Sequence, residues 1–372
     1  MLLSSFRRPH IRLTLDSIIT NGGSTRIIFG ETSVCILGLM TYVPLVSVVV
    51  PVFNAQESIR RCLDSILRQN YLEIELLVID DGSTDASASI CQEYEGRDKR
   101  VHVLSQRNSG PASARNNGIA HASGVYLLFI DADDVLKPGA ISDLVAIADS
   151  VQADMVSFNF EVTDGDRIID RKIAVSGTYP VFQQSDGREC LELIYRERGI
   201  ANFSWAFMYR MSFLKSSDVW FPEGIHIFED ALFLNQILRL AQKVAYCQKP
   251  LYTYQISTAS ESLTQRKDPA KAAQGLEAVK QIWKICQQDE SSASFAVHGI
   301  NLLFLLDYIT GSSKSVYARK VHADIRKMIF TLSSRCGYKQ IGRGNMIKII
   351  LIRSGVYDFV MLILRGIRKK CR

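Results

Sequence analysis

No two of the eight cysteines are spaced as C-x-x-C. That absence removes the zinc ribbon and the thioredoxin-like motif, both of which need thiols paired on one short turn. Scattered as Cys35, Cys62, Cys91, Cys190, Cys247, Cys286, Cys336 and Cys371, the thiols fit a reducing compartment better than a disulfide scaffold. The six histidines form no spaced ligand set, and the chain carries no internal repeat or low-complexity linker. Charge is absent between Glu31 and Glu57, and much of Val34–Phe53 is apolar, the profile of a membrane span in a simple hydropathy window. Pro44, Pro51 and the β-branched cluster Val46-Ser47-Val48-Val49-Val50 argue instead for a buried strand.

What is present is a chain of 372 residues, 47% hydrophobic and 22% charged, which excludes disordered and collagen-like classes and can bury a core without staples. The formal net charge of +6 invites a nucleic-acid reading. Its distribution argues against that reading. From Arg343 onward there are eight basic residues and one acid, and residues 1–43 hold four Arg and two acids. The remaining body has 32 basic and 35 acidic residues, so the basicity belongs to the ends, which weakens the reading of a nucleic-acid-binding fold.

Along the body, strands alternate with helices. Leu45–Val50 reads as a strand, and Ser58–Gln69 as a helix burying Ile59, Cys62, Leu63, Ile66 and Leu67. Glu75–Asp80 is a second buried strand. Asp81-Gly82-Ser83-Thr84-Asp85 is a turn with Ser83 or Thr84 as cap of a helix reaching Tyr94. A short strand at Val101–Leu104, a Pro-opened helix at Pro111–His121 and a strand at Val125–Ile130 follow. This order predicts a mostly parallel sheet with helices on both faces and a ligand site beyond the carboxyl ends of its strands. Beyond Asp154 the expectation is strands at Met155–Val162, Ile173–Gly177 and Val244–Gln255, and helices near Glu189–Arg196 and Phe228–Leu240. Phe203–Arg210 reads as extended. Helices are expected near Ala270–Gln287, Ser294–Tyr308 and Ser315–Leu332.

The sharpest chemical feature is Asp131-Ala132-Asp133 after a buried apolar strand. Alternate residues at a strand end can turn two carboxylates into one crevice, and a hard divalent cation takes such oxygen ligands. Acids that merely end a strand are the alternative. The motif has company, in this order: Pro51-Val52-Phe53-Asn54, Asp80-Asp81-Gly82-Ser83, Asn108-Ser109-Gly110 with Ala114-Arg115-Asn116-Asn117-Gly118, and Asp131-Ala132-Asp133-Asp134. With this set the chain resembles the family 2 glycosyltransferases of the GT-A fold, of the bacterial polysaccharide and surface-glycan type. The match covers Pro44 to Asp134 and continues more loosely to about Thr264.

The resemblance implies an α/β fold of the GT-A, nucleotide-diphospho-sugar transferase type, with a C-terminal helical extension. It also implies roles for particular residues. Pro51, Val52, Phe53, Asn54 and Glu57 would line the nucleotide pocket. Asp81, followed by Gly82, would contact the base, although a turn-forming acid is equally apt there. Arg115 and Asn116 would lie beside the donor, with ion pairing as the structural alternative for Arg115. Asp133 and Asp131 would hold Mg²⁺ or Mn²⁺, assisted by Asp134. Transfer with inversion needs a base for the acceptor hydroxyl. In Phe228-Glu229-Asp230 that base would be Asp230, although two acids opening a helix also suit its dipole, which would lower their basicity. Trp205, Glu229 and Tyr209-Arg210 would mark the acceptor side, with core packing the alternative for Trp205. Relatives often have Tyr-Arg where this chain has Tyr254-Gln255, and Ser262-Leu-Thr264 follows. Gln236-Ile-Leu-Arg239-Leu240 lacks the Trp of the processive synthases' Q-x-x-R-W, which favours single-sugar addition.

The implied activity is metal-dependent, inverting sugar transfer from a nucleotide sugar, a UDP-sugar above all, to a saccharide or lipid-linked acceptor. No nucleic-acid partner is expected. A nucleotidyltransferase is a second reading, but Pro51–Asn54 is not a G-x-G-T-R loop; a catalytically inactive sugar- or nucleotide-binding protein is a third. Residues 1–43 read as a leader outside the native protein, with Met40 the alternative start. A GT-A domain over 44–265 and a helical region over 266–372 complete the division. Met346–Arg353 and Val356–Ile367 mix apolar runs with Arg and Lys and are too short to span a bilayer. They are read either as a peripheral membrane contact through 343–372, at the inner face of the cell membrane, or as a packed helix with a solvated tail. The setting is cytoplasmic.

Overall fold

The computed structural model describes residues 17–21, 24–29, 32–36, 43–165, 167–172, 184–197, 202–256, 268–287, 301–306, 315–333, 343–355 and 357. The chain divides into two units, Met1–Val43 and Pro44–Arg372. In the first, β1 (Ser17–Asn21), β2 (Ser24–Phe29) and β3 (Thr32–Ile36) form an antiparallel meander that pairs Ile18 with Ile27 and Ile27 with Val34. The sequence reading anticipates none of these strands. The uncharged stretch after Glu31 is therefore split between β3 and the first strand of the second unit. No helix among the described residues is long and apolar enough to cross a membrane.

The second unit begins with the expected alternation. β4 (Val46–Val52), α1 (Ile59–Leu67), β5 (Ile74–Asp80), α2 (Ser87–Arg97), β6 (Val101–Ser105), α3 (Pro111–His121) and β7 (Tyr126–Phe129) lead to a two-residue β8 (Val135–Leu136) and α4 (Ala140–Val151). Then come β9 (Met155–Asp164), β10 (Arg167–Lys172), β11 (Gln184–Ser185), α5 (Gly187–Glu197), a 3₁₀ turn at Ser204–Ala206, β12 (Phe207–Arg210), α6 (Met211–Ser217), α7 (Glu229–Leu238) and β13 (Val244–Gln255). The C-terminal region contributes α8 (Pro269–Cys286), a helix at 301–306 (α9), α10 (Val316–Ser333) and α11 (Arg343–Arg353).

The sheet runs β11-β13-β9-β12-β7-β4-β5-β6. It is parallel from β7 through β4 and β5 to β6, and again between β9 and β13. Between these two parallel blocks, β12 lies antiparallel to both β7 and β9. That reversal positions the site. β4, β5 and β7 deliver their carboxyl ends to one edge, and the register Met208↔Leu128, Arg210↔Tyr126 brings the residues preceding β12 to the same edge.

The reasons are those of the sequence. β4 is buried on both faces except at Pro51, and Ile59, Cys62, Leu63 and Ile66 make the buried stripe of α1. A Cβ on Gly118 would lie 2.3 Å from Val49 Cγ1, so its missing side chain lets α3 pack directly on β4. Some details differ from expectation and others are untested. Ser83 and Thr84 do not cap α2; Asp85 Oδ1 accepts from Ser87 N–H at 2.9 Å, while Thr84 N–H and the Ser83 hydroxyl tie to Asn54. Helix α6 is unanticipated. The strand expected at Ile173–Gly177 lies outside the described residues, as does Ser294–Tyr308 apart from 301–306.

The C-terminal helices have their own core. Ala272, Leu276, Val279, Leu302, Leu306, Val321 and Ile325 cluster with Ile227, and Phe228 packs against them. The helical region thus grips the segment leading into α7.

Candidate active site

Asp81 ends up buried just past β5, with both carboxylate oxygens occupied by the chain. Oδ1 accepts from Ser109 N–H (2.8 Å) and Gln106 Nε2 (2.9 Å), and Oδ2 accepts from Gly110 N–H (2.8 Å). It moulds the 106–110 loop beside the expected nucleotide pocket. Gly82 follows in left-handed backbone at φ 73°. His226 covers this loop: a Cβ on Gly110, at φ 90°, would sit 2.4 Å from His226 Cε1. The Pro51–Glu57 loop is knit to its neighbour. Asn54, at φ 50°, accepts from Thr84 N–H at 2.8 Å, and Ala55 N–H donates to Ser87 Oγ at 2.7 Å. Val52 is buried, whereas Phe53 is 42% exposed, and Glu57, also exposed, accepts from Gln56 Nε2.

The centre of the crevice is Arg115. Buried on α3, it donates from Nη2 to Asp131 Oδ1 (2.9 Å) and from Nη1 to Asp230 Oδ1 (3.2 Å) and Glu229 Oε1 (3.4 Å). Its guanidinium lies 5.5 Å from the Phe221 ring centroid, and its Nε has no partner. Three carboxylates drawn from two distant parts of the chain share one buried cation. Sequence reading keeps ion pairing as the structural alternative for Arg115, and the geometry realises it. Asn116 spends its amide on structure, accepting from Phe221 N–H (2.9 Å) and donating to Phe221 O (3.0 Å).

Burial shifts the acids in one direction. Desolvation, followed by the neighbouring Asp230 charge, lifts Glu229 to about 7 against the pull of Arg115. Asp230 is also raised, by burial first, although Arg115 opposes it. The lowered basicity expected from the helix dipole is therefore reversed. Phe228, immediately before this pair, holds φ 66°. A bulky residue in the left-handed region stores strain. Its ring meets Phe304 edge-on at 5.9 Å, so the C-terminal helices help hold it.

The strand-end acids divide by role. Asp134 is fully buried and accepts from the Tyr252 hydroxyl and Gln255 N–H, each at 2.7 Å, which binds β13 to the turn after β7. It does not face the crevice as an assisting ligand. Gln255, where the resemblance leads one to expect Arg, thus serves here through its backbone; Ser262 and Thr264 lie outside the described residues. Asp133 remains open, and protein packed around its carboxyl, together with the Asp131 charge, pushes it up to about 6. No group of three or more His, Cys, Asp or Glu that could hold a metal occurs among the described residues. Two like-charged carboxylates, Asp131 and Asp133, do fit a small hard cation that completes its shell with water and substrate phosphate.

Trp205 is 2% exposed, stacked on Tyr252 at 4.3 Å and on Phe203 at 5.0 Å. The packing alternative is the one realised, and the rim of this aromatic stack is Phe203, 42% exposed. Tyr209 is buried and Arg210 binds Ala153 O and Ala148 O, so neither lines the crevice. Sequence reading misses Ser204, whose hydroxyl donates to Asp230 Oδ1 at 2.9 Å. A lone Ser carries no signal; only the antiparallel placement of β12 brings it there.

Comparison with known proteins identifies the family and the fold. The Glycosyl transferase family 2 model matches residues 47–214. The chain is 33% identical over 214 residues to the glycosyltransferase EpsJ of Bacillus subtilis (strain 168), covering 57% of this chain and 61% of EpsJ. With the glycosyltransferase GlyG of Streptococcus pneumoniae it shares 32% identity over 227 residues, 58% of this chain and 72% of GlyG. It therefore spans about three fifths of EpsJ's length. Among solved structures, S. aureus TarS 1-349 superposes with a TM-score of 0.59 at 20% identity, over 87% of this chain and 91% of TarS 1-349. The same protein solved with UDP-GlcNAc gives 0.55 at 19%, over 79% and 93%. The fold is GT-A-like, and the chain belongs to glycosyl transferase family 2.

Proposed function

We propose that this chain is an inverting, metal-dependent glycosyltransferase that takes a sugar from a UDP-sugar and adds it to a saccharide or lipid-linked saccharide in bacterial glycan assembly. The observation that carries the reading is the shared Arg115: it holds Asp131, at the end of β7, and Asp230, at the start of α7, in one crevice. Asp230 is the base. Its raised proton affinity suits removal of a hydroxyl proton, and Ser204 and Arg115 fix its Oδ1. The 51–57 and 81–85 loops and the 106–110 turn shape the nucleotide pocket. TarS solved with UDP-GlcNAc supports a uridine nucleotide as donor handle. Asp133 and Asp131 would hold Mg²⁺ or Mn²⁺. Such a cation, when bound, neutralises charge developing on the diphosphate leaving group.

Purified protein supplied with UDP-, GDP- and dTDP-sugars and either metal is expected to release UDP preferentially, and NMR of the product is expected to show the inverted anomer. Turnover of no nucleotide sugar, or a retained anomer, overturns the reading.

Peripheral contact with an anionic membrane at the cytoplasmic face is part of the same proposal. Helix α11 carries Arg343, Lys348 and Arg353, and exposes Ile347 (59%) and Ile350 (53%). Liposome co-sedimentation with and without residues 343–372 tests it, and equal binding removes the contact.

A further inference from the structure

Outside the acid crevice, an open surface groove of about 510 Å³ lies between α3 and the segment after α6. Its volume lies in the range of small-ligand sites. Ser113, Asn117 and Gln106 form one wall and Trp220, Phe221 and Glu223 the other. We propose that this groove is a saccharide-binding subsite that holds a part of the acceptor glycan away from the reacting hydroxyl, which rests on the glycosyltransferase reading above.

Three features argue for a neutral sugar. The lining has no Lys or Arg and includes the Glu223 carboxylate, which disfavours a phosphate or another anion. Its polar groups are a hydroxyl, side-chain amides and a carboxylate, which accept from and donate to sugar hydroxyls. It also presents a flat aromatic surface. Trp205 and Trp283 are 2% and 8% exposed, while Trp220 is 46% exposed.

The walls are fixed in place. Trp220 Nε1 donates to Asp218 Oδ1 at 3.2 Å, which sets the ring's orientation. The two Asn116–Phe221 hydrogen bonds clip the Trp220 segment to α3. Asn117 Nδ2 donates to Gln106 Oε1 at 2.8 Å, which leaves Asn117 Oδ1 as an acceptor. Preorganised aromatic and polar groups of this kind lower the ordering cost of binding.

The groove also adjoins the crevice. Phe221 is at once its wall and the ring beneath Arg115, and Gln106 is at once its wall and a donor to Asp81. A glycan seated there lies one side-chain layer from the acid cluster.

Three indole N–H signals are available to NMR, one per tryptophan. Titration of the full chain with chitotetraose, cellotetraose and maltotetraose is expected to move the Trp220 signal and not the other two for at least one tetramer. Calorimetry with that tetramer should show affinity about tenfold weaker in Trp220→Ala, the scale of one lost aromatic contact, and weaker in Glu223→Gln. UDP binding should be unchanged in both variants. The proposal is overturned if no tetramer moves the Trp220 signal, if Trp220→Ala binds equally well, or if UDP competes for the groove. Tetramer binding without turnover of any UDP-sugar would instead overturn the glycosyltransferase reading and leave a saccharide site.

Discussion

The two parallel blocks of the sheet reach the same crevice by different routes. In the block built from β4, β5, β6 and β7, chemistry follows strands: each functional acid or loop sits a residue or two beyond a buried apolar run. On the other side of β12, the functional groups come from a 3₁₀ turn and from a helix start reached through a strained Phe228. The first region is assembled by local order, the second by packing against distant elements. Arg115 belongs to the first by sequence and to the second by contact. On the proposed function the first region would hold substrate and the second would carry the reacting proton, so variants in the two should separate binding from turnover.

Asp230→Asn is the largest expected effect. Removing a general base costs typically 10²–10⁴-fold in rate, so kcat should fall by about that range while UDP binding stays near that of the unmodified chain. Asp133→Ala, in the first region, should instead abolish the response to Mg²⁺ or Mn²⁺. If Asp133→Ala keeps full metal-dependent activity, the ligand assignment fails; if Asp230→Asn turns over normally, the base lies elsewhere.

Arg115→Leu asks whether the two regions are coupled. Taking away one partner of a buried ion pair costs about 3–5 kcal/mol, and here three carboxylates would face one another without their cation. Chemical denaturation should therefore lose stability on that scale. Arg115→Leu with an unchanged midpoint would mean that the guanidinium does not hold the cluster.

Legibility in the sequence follows the same divide. Pro111–His121 and Val244–Gln255 are read with their observed bounds, because a Pro start and a segment rich in Val, Leu and Tyr are local signals. Asp131, Arg115 and Asp230 are each legible as candidates through the family resemblance, but their union is not, since it spans more than a hundred residues of separation. Ser204 and the Asn116–Phe221 clip are invisible for the same reason. Asp134 shows the converse: its motif marks it as a ligand, and only the approach of Tyr252 and Gln255 on β13 reveals its structural use. The strands of the first unit fall in a stretch whose sequence shows no sustained period.

Gly118→Ala sharpens the packing side of the comparison. The added methyl meets Val49 at a distance no real contact tolerates, and overpacking of this kind costs about 1–3 kcal/mol. Because α3 also carries Arg115, activity should fall together with thermal stability. Loss of stability with an unaltered kcat would separate α3 packing from the acid cluster.

The last expected effect is spread over pH and appears as a slope. Glu229 rises from 4.5 to about 7 on folding, so between those values the folded chain binds more protons than the unfolded one. Stability should then fall as pH rises through that window and level off above it. Asp133, in the first region, contributes a slope of the same sign over a lower window, from 3.8 to about 6. Glu229→Gln should flatten urea midpoints mainly in the upper part of the combined range, and Asp133→Asn mainly in the lower part. If both variants flatten the same window equally, the two acids titrate as one cluster and the division between the regions does not extend to their electrostatics.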